Sequence, residues 1–179
     1  MRSHTFFITD VFAEASYTGN QLGTLLDAAD VTSIDMQKIA REFNFAETTF
    51  IRGGSLEQGF DVRIFTPNTE LPFAGHPTLG TAYLIRNEIL KADISELTLN
   101  LGVGNIPVTF SEDGVSWMKQ KSPEFGSTVS REAIADELGL QASDIDGHFP
   151  VLPVSTGLPK CRCMAFKVFF QAQYGCRGQ

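Results

Sequence analysis

A single segment, residues 73–85 (FAGHPTLGTAYLI), constrains the fold most because it has almost no polar side. Gly75 permits a close approach of the backbone, and Pro77 suits the first turn of a helix, where its missing N–H costs nothing. A helix that is apolar nearly all round is usually buried, so the segment predicts a central helix with its N-terminus opening into the interior. Free N–H groups there would suit an anionic ligand, although a buried helix need not bind anything.

Length, composition and charge exclude several classes of protein. The chain has 179 residues, enough for one domain or for one domain and part of a second. Its apolar content of 42% suffices for a core, and no apolar run approaches the roughly 18 residues that span a bilayer. We therefore expect no membrane partner, and an N-terminus without signal-peptide features predicts a cytoplasmic protein. The net charge of −7, without a basic stripe, argues against a nucleic-acid partner.

The cysteine and glycine motifs indicate neither a metal site nor a cofactor. Cys161, Cys163 and Cys176 are odd in number and confined to the end of the chain, so they form no disulfide framework. Their spacing is wrong for a C-x-x-C metal knuckle, and a zinc site that also used His148 is the weaker alternative. The Gly-x-Gly at residues 102–104 lies between two predicted strands, so it is interpreted as a turn and not as a dinucleotide fingerprint.

Glu47 is the most unusual charged residue of the chain. It follows a predicted helix over residues 32–44 and lies in a predicted strand over residues 45–51. Alternation places it on the same face as Thr49, among apolar and β-branched neighbours where a lone buried carboxylate is costly. One interpretation is a solvent-facing glutamate on an edge strand, as most such residues are. The other is a carboxylate held in a cavity as an acid or a base.

The remaining pattern divides the chain into two halves and a tail. Alternating segments predict further strands, and a serine cap predicts a helix that starts after Ser130 and stops at Gly139. Residues 53–55 (GGS) are interpreted as a loop. We assign residues 1–114 to a first half, with its central helix at 77–90. Residues 115–159 form the start of a second half, with a connection at 121–126. Residues 160–179 form an atypical tail.

The tail differs sharply in composition from the rest of the chain. Residues 160–179 contain no Asp or Glu, whereas the preceding residues hold all 21 acidic side chains. A break this abrupt is uncommon within one domain. We interpret the tail as foreign, for example the product of a frame change or of altered splicing. The alternative is an ordinary C-terminus of unusual composition.

Several motifs together resemble the phenazine-biosynthesis (PhzF-like) family, which has the diaminopimelate-epimerase fold. The likeness runs from about residue 6 to residue 159, and its two long motifs are highly specific. The matching segments are residues 10–12 (DVF), 18–20 (TGN), 40–50 (AREFNFAETTF), 62–67 (VRIFTP) and 70–82 (ELPFAGHPTLGTA).

The resemblance implies an α+β fold of two similar halves, each an antiparallel sheet curled around a central helix, with the site between them. It implies that Glu47 is the catalytic acid/base and that Gly75 and His76 line the site. His76 either orients the substrate or caps the helix, and Asn20 is a further candidate for substrate contact. The resemblance also implies a cofactor-free isomerase of a small carboxylated metabolite, and a homodimer.

The resemblance further implies a second half that continues beyond residue 159. Family members supply an aspartate and a Gly-x-x-Ser segment from that region. We therefore expect isomerase activity to be impaired in a chain of this length. The alternative is a non-catalytic binding or regulatory module derived from such an enzyme.

Overall fold

The computed structural model describes residues 3–157 together with the backbone of residues 159–162 and 171–172. The chain forms two compact units, Met1–Gln120 and Lys121–Gln179. Among these residues, none of the helices combines the length and the apolar character that crossing a bilayer requires.

The first unit is built on one sheet, which has eight strands in the described residues. Seven of them follow the order β1-β2-β3-β4-β6-β7-β8, and the short β5 pairs with β4. The strands are β1 (Phe6–Val11), β2 (Asn20–Leu25), β3 (Glu47–Ser55), β4 (Gly59–Phe65), β5 (Glu70–Leu71), β6 (Glu96–Leu101), β7 (Gly104–Phe110) and β8 (Ser116–Met118).

Two pairings in this sheet, β2 with β3 and β4 with β6, are parallel, and the others are antiparallel. The resemblance implied an antiparallel sheet, and the two parallel pairings correct that detail. The reason lies in the connections, because a helix joins each parallel pair and parallel strands need such a crossover. α1 (Ser33–Phe43) joins β2 to β3, and α2 (Gly75–Leu84) lies between β4 and β6.

Helix α2 is the central element around which the sheet curls. It packs against β1, β2, β3, β6 and β8 and continues as a π-helix over Ile85–Leu90. Gly80 permits the close approach, since a Cβ there would lie 2.7 Å from Val11 Cγ2 and 2.8 Å from Leu22 Cδ2. The predicted central helix is confirmed, and it begins at Gly75, two residues before the predicted start.

Helix α1 covers the opposite face of the sheet. Thr32 caps it, with its hydroxyl accepting from the Asp35 N–H. Met36 and Ala40 of this helix pack against Phe50 of β3 and Phe65 of β4. The central strands are therefore covered on both faces, by α1 on one side and by α2 on the other.

The second unit is smaller. Its sheet has the order β12-β11-β10-β9, and α3 (Arg131–Leu138) contributes Ile134 and Ala135 to a core with Ile145 and Val151. Ser130 caps α3 and Gly139 ends it, as predicted. The strands are β9 (Glu124–Phe125), β10 (Leu152–Ser155), β11 (Pro159–Arg162) and β12 (Gln171–Ala172).

The structure differs from two sequence predictions about boundaries. Residues 115–120 belong to the first unit and not to the second, because β8 pairs with β7. Residues 53–55 are not a loop: they continue β3 and pair with β4, with Gly53 and Gly54 at φ of 133° and 135°. The prediction that the tail is foreign falls mostly on residues outside those described.

Candidate active site

Glu47 is the first residue of β3, which is an interior strand between β2 and β4. Its residue exposure is 9%. The interpretation as a solvent-facing glutamate on an edge strand is therefore wrong, because both neighbouring strands and both helices cover β3. The predicted alternation holds, since Thr49 contacts α2 through Thr81 whereas Phe50 packs towards α1.

His76, the second residue of α2, lies against Glu47. Its Nε2 is 3.4 Å from Glu47 Oε2, and its exposure is 8%. The separation is longer than an ordinary N–H···O hydrogen bond. Within the described residues, Nε2 is buried and makes no hydrogen bond. A buried nitrogen of this kind is suited to a ligand, because buried polar groups are almost always satisfied by some partner.

Asn20 completes a chain of three side chains. It is the first residue of β2, and its Nδ2 lies 3.2 Å from His76 Nδ1. The structure thus brings together three of the four residues predicted for the site, although they are far apart in the sequence. Each comes from a different element: Asn20 from β2, Glu47 from β3 and His76 from α2.

Gly75, the fourth predicted residue, begins α2 directly before His76. Ala74 precedes it in an extended conformation, and no side chain of the described residues caps the helix. The N–H groups at this end are therefore left to another acceptor, as at the start of any uncapped helix. Because the His76 ring is engaged with Asn20 and faces Glu47, its position favours an orienting role over a capping role.

Burial determines the electrostatics of His76. Removal from water lowers the pKa of its imidazole below the ordinary value. A hydrogen bond to the Gln21 backbone raises the pKa and so opposes this shift in part. Desolvation disfavours the charged form of a histidine. His76 is therefore neutral near pH 7, which makes it a hydrogen-bonding group and not a fixed positive charge.

A buried network of three threonines, which the sequence analysis missed, holds the three elements of the site together. Thr81 of α2 donates to Thr49 Oγ1 at 2.8 Å, and Thr49 Oγ1 lies 2.8 Å from Thr24 Oγ1 of β2. All three residues are fully buried. Thr49 lies two positions after Glu47 on the same face of β3. Threonine is common in strands, so no local signal distinguishes these three from others.

A metal centre finds no support in the described residues. They contain no group of three His, Cys, Asp or Glu side chains arranged to hold a metal ion. The alternative zinc site would use cysteine side chains that lie outside the described residues.

The sequence matches one family of known proteins over most of its length. The profile of the family described as Phenazine biosynthesis-like protein matches residues 9–164. An uncharacterized isomerase from Clostridium acetobutylicum is 33% identical over 89% of this chain and 55% of its own length. A trans-2,3-dihydro-3-hydroxyanthranilate isomerase from Pseudomonas aeruginosa is 34% identical over 78% of this chain and 51% of its own length. The chain thus spans about half the length of these relatives.

Solved structures give the same result. A predicted epimerase from Pseudomonas aeruginosa superposes with a TM-score of 0.81 at 35% identity, covering 92% of this chain and 60% of that one. A PhzF-family phenazine biosynthesis protein from Bacillus anthracis superposes with a TM-score of 0.75 at 32% identity, covering 91% of this chain and 56% of that one. The α+β, diaminopimelate-epimerase-like fold predicted from the sequence is confirmed.

Proposed function

We propose that this chain, which belongs to the phenazine biosynthesis-like family, carries the acid/base residue of an isomerase that moves a proton on a small carboxylated substrate. The observation that supports the proposal best is the buried approach of Glu47 Oε2 to His76 Nε2, at 3.4 Å. A carboxylate that takes a proton from one carbon and returns it to another isomerises its substrate without any net change in composition.

The surrounding groups suit an anionic substrate. The uncapped start of α2 presents backbone N–H groups and the positive end of the helix dipole next to His76. His76, as a neutral ring, can hydrogen-bond to the substrate or to the Glu47 carboxylate without adding charge. In this arrangement Glu47 moves the proton, His76 orients the reacting groups, and the helix start receives the substrate carboxylate.

The relative from Pseudomonas aeruginosa suggests the substrate class. That protein is a trans-2,3-dihydro-3-hydroxyanthranilate isomerase. We therefore propose a dihydroanthranilate-type acid for this chain.

Solvent deuterium exchange tests the proposal. The chain is incubated in D₂O with trans-2,3-dihydro-3-hydroxyanthranilate, and NMR measures deuterium entering the carbon-bound positions. Incorporation above the rate without protein is the expected result, because a carboxylate that returns a proton after exchange with solvent delivers deuterium. Binding of the acid without any incorporation would refute the isomerase and favour the binding module.

A further inference from the structure

We propose that Asn20 is a positioning residue that fixes the tautomer of His76, so that the ring proton is on Nε2 and faces Glu47. This inference rests on the proposed function, in which Glu47 starts as an ionised base. It changes the expected role of Asn20, from a group that binds substrate to one that acts through His76.

The partner of His76 Nδ1 determines where the ring proton lies. A neutral imidazole has one N–H donor and one acceptor nitrogen, and its partners decide which nitrogen carries the proton. Asn20 Nδ2, a donor only, lies 3.2 Å from His76 Nδ1. The bond forms only if Nδ1 is the acceptor, so the proton is on Nε2.

The surroundings of the other ring nitrogen, Nε2, also favour a proton on that nitrogen. Nε2 lies 3.4 Å from Glu47 Oε2, and an Nε2–H donor facing an ionised carboxylate is attractive. The opposite tautomer would direct the Nε2 lone pair at the carboxylate oxygen. That tautomer would also require Asn20 to turn its amide so that the oxygen accepts from Nδ1. A hydrogen bond between the ring and the Gln21 backbone also favours a protonated ring nitrogen, and if that nitrogen were Nδ1 the opposite tautomer would form. The measurement below distinguishes the two tautomers.

The chain's other two described histidines provide built-in controls. His4 Nδ1 lies 2.7 Å from the Asp27 main-chain carbonyl, and His148 Nδ1 lies 2.7 Å from Asp146 Oδ1. Both partners are acceptors, so both rings carry the proton on Nδ1. The described histidines thus divide two to one, and His76 alone has the Nε2–H form.

Nitrogen NMR of ¹⁵N-histidine-labelled protein tests the assignment. Two-bond ¹H–¹⁵N correlations at about pH 8, above the ordinary histidine pKa, distinguish the two neutral tautomers. The His76 signals are assigned by their loss in His76→Gln. The expected result is a protonated Nε2 for His76 and a protonated Nδ1 for His4. A protonated Nδ1 in His76 overturns the proposal.

A matched pair of variants tests whether Asn20 is the cause. Asn20→Asp keeps the shape but replaces the donor with an acceptor, so His76 should change to the Nδ1–H form. Asn20→Ala removes the partner, and a mixture of tautomers is expected. Unchanged His4 signals show that the fold persists. A His76 tautomer that stays Nε2–H in Asn20→Asp overturns the proposal.

Kinetics separate positioning from substrate binding. For Asn20→Ala we expect the maximal deuterium-exchange rate to fall about tenfold, the equivalent of one lost hydrogen bond, with KM almost unchanged. A raised KM with an unchanged rate would make Asn20 a substrate contact and overturn the inference. The NMR result needs no turnover. A chain with the Nε2–H tautomer but no exchange would therefore refute the proposed activity alone.

Discussion

The buried threonine network should contribute to the free energy of unfolding, and the residue next to its central member provides a control. Thr49 lies at the centre of the network, with Thr81 Oγ1 and Thr24 Oγ1 each 2.8 Å from its own Oγ1. Valine has nearly the same shape as threonine, so Thr49→Val opens no cavity. It leaves the hydroxyls of Thr24 and Thr81 buried without this partner, and each such loss costs about 1–3 kcal/mol. We expect a loss of about 3 kcal/mol in the free energy of unfolding.

Thr48→Val is the matched control. Thr48 and Thr49 are both fully buried, but Thr48 Oγ1 has no hydrogen-bond partner in the described residues. Replacing an unsatisfied hydroxyl with a methyl group removes a desolvation cost, so stability should stay constant or rise by about 1 kcal/mol. The two variants make the same substitution in one strand and differ chiefly in hydrogen bonding.

Urea unfolding followed by Trp117 fluorescence measures both variants. Trp117 is the single tryptophan of the chain and lies in β8, so it reports on the first unit. The triple variant Thr24→Val, Thr49→Val, Thr81→Val removes every partner together and should cost less than Thr49→Val alone. A Thr49→Val variant whose free energy of unfolding is within about 0.5 kcal/mol of the wild type, or equal to that of Thr48→Val, would show that the threonine network does not stabilise the fold.

Two further predictions concern stability. Because burial holds the pKa of His76 below that of the unfolded chain, the unfolded chain binds more protons below about pH 6.5. The free energy of unfolding should therefore fall as the pH is lowered from about 6.5 towards the pKa of His76 in the folded protein. Urea titrations should show a smaller fall in His76→Gln. An equal fall in this variant and in the wild type would contradict the prediction. Gly19→Ala should cost about 1–3 kcal/mol in the same assay, since its Cβ would lie 2.7 Å from the Val11 carbonyl oxygen, and an unchanged midpoint would count against this.

Local signals in the sequence predicted the elements that carry the site. Pro77 and the apolar run after it mark the start of α2, and Thr32 marks the start of α1, because caps and first-turn residues act within a few positions. Alternation around Glu47 gave the correct face of β3, since the two-residue period of a strand is a local property. Whether that face was buried depended on partners elsewhere in the chain.

Such local patterns do not predict contacts between residues that are far apart in the sequence. Asn20 and His76 are 56 positions apart, and nothing near either residue indicates the other. The parallel pairing of β2 with β3 follows from the crossover through α1, which alternation does not encode. Gly53 and Gly54 were interpreted as a loop because glycine is common in turns, yet pairing with β4 holds both in an extended strand. In each case the partner, and not the local residue type, decided the structure.

Two glutamate variants in the deuterium-exchange assay test whether Glu47 moves the proton. Glu47→Gln removes the proposed acid/base, and Glu57→Gln makes the same change at an exposed glutamate in the turn after β3. Every variant is assayed at the same concentration of folded protein and the same concentration of dihydrohydroxyanthranilate. We predict that the exchange rate of Glu47→Gln is lower than that of the wild type by a factor on the order of 100, whereas Glu57→Gln keeps the wild-type rate. Wild-type exchange in Glu47→Gln would show that a group other than Glu47 moves the proton.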